Sequence, residues 1–246
     1  WGDLFSPRQK LNLYSLGELA REYEKKLLAD GVDKILARDT AAALALGVSN
    51  LVHYNTNVST WLSEGMISCF IAGNAIAMRW DWAEANPIVS GYVGGIDFSF
   101  RKGSEAIKAL VAGNIGKSLD VLRQNATELN LPDDSADLFF TDPPYYDVVP
   151  YADLSDLCFV WLKRFLKHDF KELFNYDLTP KAEQIVVNPY AVADSRGEQS
   201  PERYRERMTQ AFTEARRVLK PDGVGCVVFA HKGTEAWETL LASVVD

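Results

Sequence analysis

A seven-residue stretch near the middle of the chain combines residue types that could do chemistry. It reads Thr141-Asp142-Pro143-Pro144-Tyr145-Tyr146-Asp147 and follows a short apolar run at residues 137–140. The acid accepts hydrogen bonds, the prolines stiffen the backbone, and the aromatic rings offer flat apolar faces. Average residue usage makes a chance Asp-Pro-Pro-Tyr in a chain of this length an event of about one in a thousand. The stretch is therefore typical of a functional site rather than of a plain turn.

The surrounding sequence predicts the elements that position this stretch. Residues 136–141 predict a buried strand, and Asp153 begins an apolar helix that runs to about Phe165. From residue 104 onward the predicted order is helix, strand, strand, helix, helix, strand, helix. The first predicted strand covers residues 119–123, and the last covers 225–230. Ser200-Pro201 predicts the start of the helix before the last strand, and the final helix begins at Thr234. Such alternation favours an α/β fold with a mainly parallel sheet, in which ligands bind at the carboxyl ends of the strands.

The first hundred residues predict helices and irregular structure. Ser6 as cap and Pro7 in the first turn predict a helix that stops at Gly31. A second helix is predicted from Asp39 to about residue 50 or 54, and a third over 105–112 with Ser104 as its cap. Residues 91–95 predict a turn. Residues 78–87 indicate a packed turn with a local ion pair, or alternatively part of a ligand wall.

Two regions follow from this pattern. Residues 1–100 form a helical and irregular segment that precedes the α/β core, and residues 101–246 form the core itself. Within that core, residues 167–199 are predicted to be an irregular insert. Irregular segments of this length inside a compact domain are usually functional or mobile.

Composition narrows the classes of function. The net charge of −8 argues against a chain that grips nucleic acid over its whole surface, although it allows a local basic groove. No apolar run approaches the roughly 20 residues of a membrane span, and no signal peptide is recognisable. Cys69, Cys158 and Cys226 lack metal-ligand spacing, so we expect reduced core cysteines in a cytoplasmic protein. The three histidines are far apart in sequence, and we expect no metal site.

The central stretch resembles the active-site motif Asp/Asn-Pro-Pro-Tyr/Phe/Trp of the S-adenosylmethionine-dependent amino-methyltransferases. Residues 1–9 (WGDLFSPRQ), 80–87 (WDWAEANP) and 142–156 further resemble large adenine-specific DNA methylases, some of which carry a zinc ribbon that this chain lacks. The resemblance implies a Rossmann-like methyltransferase domain with S-adenosylmethionine as cofactor. It also implies a nucleic-acid partner, DNA in preference to RNA.

The resemblance assigns roles to individual residues. The Asp142 carboxylate and the Pro143 carbonyl would accept the two N–H hydrogens of a base amino group, directing the nitrogen lone pair at the sulfonium methyl. Pro144 would keep that backbone rigid, and Tyr145 would stack on the extruded base. Strong base catalysis is not needed, because methyl transfer neutralises the positive charge of the cofactor.

Further residues are assigned to the walls of the site and to the cofactor. Tyr146 and Tyr151 are predicted to line the substrate pocket. Asn125 and Ala126 occupy the place where relatives contact the cofactor's adenine, often with Asp-Ala. Thr141, together with Asp142, completes the predicted cofactor contacts.

One expected motif is absent from the sequence. The family's cofactor loop, of the type Asp/Asn-Pro-Phe-x-Gly-x-Gly, occurs nowhere in the 246 residues. We therefore expect the loop in another part of a longer polypeptide, upstream or, in a permuted relative, downstream. The motif does not separate adenine N6 from cytosine N4, or DNA from RNA, and a non-catalytic nucleic-acid-binding or assembly module is a further alternative. The basic residues of 196–220 fit a solvated helix face as well as a phosphate-contacting surface.

Overall fold

The computed structural model describes residues 1–63, 65–69, 76, 78–113, 121–188 and 199–245. In this part of the chain six α-helices and two strands follow a short 3-10 turn at Gly2–Leu4. In chain order they are α1 (Pro7–Ala29), α2 (Lys34–Val52), α3 (Ile96–Ala112), β1 (Ala136–Thr141), α4 (Tyr151–Leu166), α5 (Pro201–Val218), β2 (Leu219–Val227) and α6 (Thr234–Val245).

Helices α1 and α5 begin where the sequence predicts. Each starts with a Ser-Pro pair, and each serine side chain accepts a hydrogen bond from a backbone N–H of the first turn. At α1 the cap is reciprocal, because the Gln9 side chain also accepts from the Ser6 N–H. Local side-chain chemistry therefore determines both starts.

Two predicted helix starts are wrong. Helix α2 begins at Lys34 rather than at Asp39, because the Asp33 side chain caps it by accepting from the N–H groups of residues 35 and 36. Helix α3 begins at Ile96 rather than after Ser104. The predicted turn at 91–95 is confirmed and leads directly into α3, with Gly95 as a cap that carries no side chain.

Contacts divide the chain into two compact units. The first unit comprises residues 1–118 and 154–179, and the second comprises 119–153 and 180–246. Residues 154–179 therefore group with the N-terminal helices, and the predicted insert 167–199 is divided between the units. Of that insert, residues 189–198 lie outside the described part of the chain. Residues 167–188 form turns and irregular structure, without a helix or strand.

The core of the first unit is built from helical faces. Helix α2 packs against α1 and α3, and the shared core also takes side chains from residues 157–174. Helix α2 is long and apolar enough to cross a membrane by length and composition, with a mean hydropathy of 1.3. Seven of its residues are buried, four of them in this core, and core helices of globular units pass the same test.

The two stretches 1–9 and 80–87 come together in the first unit. Gln9 is buried, and its side-chain amide donates to the carbonyl of Ala83 at 3.3 Å. Glu84 accepts from the Ser6 hydroxyl and forms an ion pair with Arg8. The Ala83 N–H also donates to the Ser59 carbonyl at 2.8 Å. The contacts that hold the turn at 78–87 thus come from residues 6–9 and 59, rather than from the local ion pair that the sequence predicts.

The second unit contains a two-stranded parallel sheet. Strands β1 and β2 pair from Ala136 opposite Leu219 to Thr141 opposite Val227. The register shifts between positions 136 and 138 of β1, since the Pro-Asp-Gly sequence of β2 adds residues opposite that point. The strand predicted at 225–230 thus begins earlier and ends at Val227. Helix α6 packs against α5. Four apolar side chains of the sheet, Leu138, Phe140, Val224 and Val227, are exposed, so β1 is not the buried strand that the sequence predicts.

The strand predicted at 119–123 is not formed by the residues that are described. Residues 121–123 have no sheet partner, and the Val121 side chain is 90% exposed. Leu119 and Asp120 lie outside the described residues. The structure thus shows a mixed helical and stranded chain with a small parallel sheet, whereas the Rossmann-like architecture stays a prediction.

Candidate functional site

The Asp-Pro-Pro-Tyr stretch lies at the carboxyl end of the parallel sheet. Strand β1 ends at Thr141, and the Thr141 carbonyl accepts from the Val228 N–H at 2.8 Å. Because the two strands are parallel, the residues that follow β2 lie beside those that follow β1. Phe229 and His231 therefore come next to Asp142 through Asp147, as the ring contacts below show.

Asp142 and Tyr145 form the exposed side of the stretch. The Asp142 side chain is exposed, and its hydrogen bond with the Tyr145 hydroxyl raises the pKa of Tyr145 above its ordinary value. The Tyr145 ring packs edge-on against Phe229 with ring centroids 5.4 Å apart. Tyr151, predicted as a pocket wall, is exposed in the first turn of α4, and its charge interaction with Tyr145 contributes to the same rise in pKa. The structure thus brings three of the predicted site residues together.

The two proline carbonyls have different surroundings. The Pro144 carbonyl accepts from the Tyr204 hydroxyl at 2.8 Å and from the Tyr146 N–H at 2.9 Å. No described residue donates to the Pro143 carbonyl, although the Pro143 side chain is buried. The backbone is therefore held at Pro144.

Tyr146 lies in the core of the second unit, and its role as a wall of the substrate pocket stays a prediction. Its side chain is 4% exposed, and its hydroxyl donates to Glu235 at 2.8 Å. Burial and the Glu235 carboxylate raise the pKa of Tyr146 to about 12. The Tyr146 backbone has a φ of 55°, an uncommon conformation for an aromatic residue.

Tyr204 of α5 contacts the stretch at Pro144 and Tyr146. It is 1% exposed, and its ring meets Tyr146 edge-on at 5.1 Å. Burial raises the pKa of Tyr204 to about 12, so the phenol is a neutral donor to the Pro144 carbonyl at ordinary pH. The edge-on ring contact and the partly buried hydrogen bond therefore hold the backbone at Pro144.

His231 and Asp147 form a pair that the sequence did not indicate. The His231 Nε2 lies 3.0 Å from an Asp147 carboxylate oxygen, and the His231 Nδ1 accepts from the Gly233 N–H at 2.9 Å. The sequence indicated an isolated histidine, yet His231 follows β2 at the edge where the carboxyl ends of parallel strands meet, and that position was the available signal.

The two remaining cofactor residues lie in a separate turn. The Asn125 side-chain oxygen accepts from the N–H and the hydroxyl of Thr127, at 3.1 and 3.0 Å. Asn125 and Ala126 are exposed, whereas Thr141 and Asp142 lie at the end of β1. The joint role of these four residues in cofactor binding stays a prediction.

An arginine at the end of α5 anchors the segment that follows this turn. All five N–H groups of the Arg217 guanidinium are used: two donate to Glu214, two to the carbonyls of Leu129 and Leu131, and one to Asp133. The Arg217 guanidinium and the Leu129 N–H lower the pKa of Glu214 to about 2. We call this cluster the Arg217 clasp.

Other basic residues of α5 also serve the fold. Arg203 donates to the Ala182 carbonyl at 2.9 Å, and Arg207 pairs with Glu183 at 3.0 Å. These contacts join α5 to the segment that precedes residue 189. Arg203, Arg207 and Arg217 are thus structural, which weakens the interpretation of the basic region as a phosphate surface; Arg196 lies outside the described residues.

The histidine and cysteines of the first unit lie close together. His53 Nδ1 is 3.5 Å from the Cys69 sulfur, and His53 Nε2 is 3.3 Å from the Cys158 sulfur. Burial lowers the pKa of His53 and raises that of Cys158. Within the described residues no group of three or more His, Cys, Asp or Glu side chains is arranged to hold a metal ion.

Comparison with known proteins finds no match to this chain. No family model matches the chain, and no curated protein and no solved structure is similar to it. The resemblance of the motif to amino-methyltransferases therefore stays a prediction that rests on the residues themselves.

Proposed function

We propose that this chain is part of an S-adenosylmethionine-dependent methyltransferase that modifies an exocyclic amino nitrogen of a nucleobase, namely N6 of adenine in DNA. The observation that carries the proposal is the pair of acceptors after β1. An exposed carboxylate at Asp142 is followed by a Pro143 carbonyl to which no described residue donates, while the next carbonyl, Pro144, is held by Tyr204 and Tyr146.

The acceptor pair suits an amino group with two hydrogens. The lone pair of a base amino nitrogen is delocalised into the ring, so the nitrogen is a poor nucleophile. Acceptance of one N–H by Asp142 and of the other by the Pro143 carbonyl would favour a tetrahedral nitrogen with a localised lone pair. Because the backbone is already fixed at Pro144, no reorganisation is needed when the base arrives.

Tyr145 would provide the stacking surface for the extruded base. Its ring is partly exposed, and Phe229 supports it edge-on. Base–aromatic stacking on one face is tolerant of base identity, so the acceptor pair would select the amino group. Adenine and cytosine both carry such a group, and the preference for adenine rests on the resemblance of the longer stretches.

The described residues supply only part of a cofactor site. S-adenosylmethionine would supply an electrophilic methyl group, and Thr141 and Asp142 stand at the strand end where a donor could be contacted. The Asn125 oxygen is engaged within its own turn, and the sequence contains no glycine loop of the family type. Accordingly, the proposal places the donor loop in a separate segment of polypeptide.

The test is methyl transfer by the full-length protein. With labelled cofactor and adenine-containing DNA, nuclease digestion should release N6-methyladenine. Label in N4-methylcytosine would change the target base, and label only in RNA would favour an RNA base amino-methyltransferase. Nucleic-acid binding without any transfer would favour a non-catalytic module.

A matched pair of variants tests the site itself. Asp142→Ala should lower the transfer rate by about 100-fold or more, the usual cost of losing one preorganised transition-state interaction. Asp142 is exposed, so the fold should be unchanged. Asp222→Ala, an equally exposed acid within β2, should retain full activity. Full activity of Asp142→Ala would remove this residue from the mechanism.

A further inference from the structure

The first unit contains an aromatic groove that the proposed function does not use. It lies between the first half of α1 and the second half of α4 and has a volume of about 610 Å³. Its floor is Trp161, which is 7% exposed, with Phe5 packed edge-on against it at 5.3 Å between ring centroids. We call it the Trp161 groove.

The wall of the Trp161 groove is apolar and ligand-accessible. Leu11 and Tyr14 project from α1 one turn apart, and the Tyr14 side chain is 49% exposed. Tyr14 and Trp161 thus line the same space, which is apolar apart from the tyrosine hydroxyl and the cations described below. Such a space suits a planar ring better than a flexible aliphatic chain.

The rim of the Trp161 groove is positively charged. Lys10 of α1 and Arg164 of α4 line it, both side chains are exposed, and neither forms an ion pair with a described residue. No acidic residue is among the described residues that line the groove. In a chain with a net charge of −8, two cations without a counter-ion beside an aromatic space favour an anionic ligand.

From this combination, we propose that the Trp161 groove binds a nucleotide, with the base between Tyr14 and the Trp161 floor and the phosphate at Lys10 and Arg164. Stacking rings with flanking cations are the means by which proteins hold single-stranded nucleic acid. The volume of the groove lies within the range of small-ligand sites. An acidic helix would need a longer groove that spans several helical turns. The inference stands independently of the proposed methyl transfer.

Fluorescence anisotropy of a labelled single-stranded oligodeoxynucleotide tests the groove, with unlabelled deoxyadenosine monophosphate as a second ligand. Tyr14→Ala should weaken oligonucleotide binding about fivefold or more, the fold-change expected for loss of one stacking partner. Tyr23→Ala, a similarly exposed tyrosine on the same helix, is the matched control and should leave binding unchanged.

The cations are tested through salt dependence. Lys10→Gln combined with Arg164→Gln should reduce the slope of log affinity against log salt by about 0.7 for each phosphate that the protein no longer neutralises. Lys25→Gln combined with Lys26→Gln removes the same charge from the other end of α1 and should leave the slope unchanged. Circular dichroism should show that all variants are folded.

The outcomes separate the sources of the ligand. Tighter binding of the oligonucleotide than of the mononucleotide, with both sensitive to Tyr14→Ala, assigns the groove to a nucleotide within a strand, and the reverse order assigns it to a free nucleotide. Affinities and salt slopes that the groove variants do not change would overturn the proposal. Stronger binding of a polyglutamate peptide, with the same sensitivity to the variants, would also overturn it in favour of an acidic protein partner. No methyl transfer is measured, so the result is separate from the proposed reaction.

Discussion

Replacing Tyr204 by phenylalanine should lower stability at neutral pH but not at alkaline pH. The substitution removes only the hydroxyl that donates to the Pro144 carbonyl at 2.8 Å. A buried hydrogen bond of this kind contributes about 1 kcal/mol net, and the Tyr146 N–H still donates to the same carbonyl. At pH 7 we therefore expect the variant to unfold with a free energy about 1 kcal/mol below that of the wild type.

The alkaline effect follows from the raised pKa of Tyr204. Its pKa is about 12 in the folded chain and 10.0 ordinarily. The folded state therefore binds the phenolic proton more tightly, so this contribution is complete below pH 10 and is lost as the pH rises through 12. At pH 11 the loss amounts to about 1.4 kcal/mol, one pKa unit of linkage. The phenylalanine variant has no such loss and should be as stable as the wild type there, or slightly more stable.

Urea unfolding followed by circular dichroism at pH 7 and pH 11, in reducing buffer, measures both differences. Tyr23→Phe serves as control, because Tyr23 is exposed on α1 and its substitution should change stability at neither pH. A stability difference between wild type and Tyr204→Phe that is the same at pH 7 and pH 11 would refute the reasoning. Such a result would mean that Tyr204 is not held as a buried, protonated donor.

Three further predictions use contrasting substitutions. Gly17→Ala should destabilise the chain by about 1–3 kcal/mol, because the added methyl group would overlap the buried ring of Phe165. Gly103→Ala has open space within α3 and should stabilise the chain by up to about 1 kcal/mol. Thermal unfolding of both variants measures the two effects. Glu214→Gln should be less stable than the wild type at pH 6. This stability difference should shrink as the pH falls from 4.5 towards 2, because the Glu214 carboxylate, whose pKa is lowered, stabilises the fold only while it is charged. Urea unfolding midpoints of both proteins at pH 6 and near pH 2 measure this change. Tyr145→Phe keeps the ring and should retain more methyl transfer than Tyr145→Ala, and equal rates in a transfer assay would exclude stacking as the role of this residue.

Elements with local signals could be predicted from the sequence, and elements without them could not. The strand at 136–141 and the helices at Ser6-Pro7 and Ser200-Pro201 have their determinants within a few residues. Helix α3 has a glycine cap that leaves no side-chain signal, so its first two turns were missed. At α2 the sequence offers two acids, and Asp33 rather than Asp39 is the cap.

The candidate site shows the same division. The position of Asp142 at a strand end could be predicted, because strand and motif are adjacent in sequence. The contacts that hold the motif could not, since they join residues far apart in the chain. Tyr204 is 60 residues from Pro144, and His231 is 84 residues from Asp147. The core position of Tyr146 likewise depends on its distant partner Glu235 and on a backbone conformation that tyrosine rarely adopts.

The Arg217 clasp has a consequence for recognising relatives. Its five donors are matched to five acceptors in a planar fork, and a lysine offers three donors without that fork, so Arg217 should not be exchangeable for lysine. Glu214 precedes the arginine by three residues, and Asp133 precedes it by 84. Divergent sequences that keep an Asp-Pro-Pro-Tyr motif could be aligned by this Glu-x-x-Arg pair and its upstream aspartate. A joint replacement of the three residues, rather than of one alone, would be the expected pattern of substitution among them.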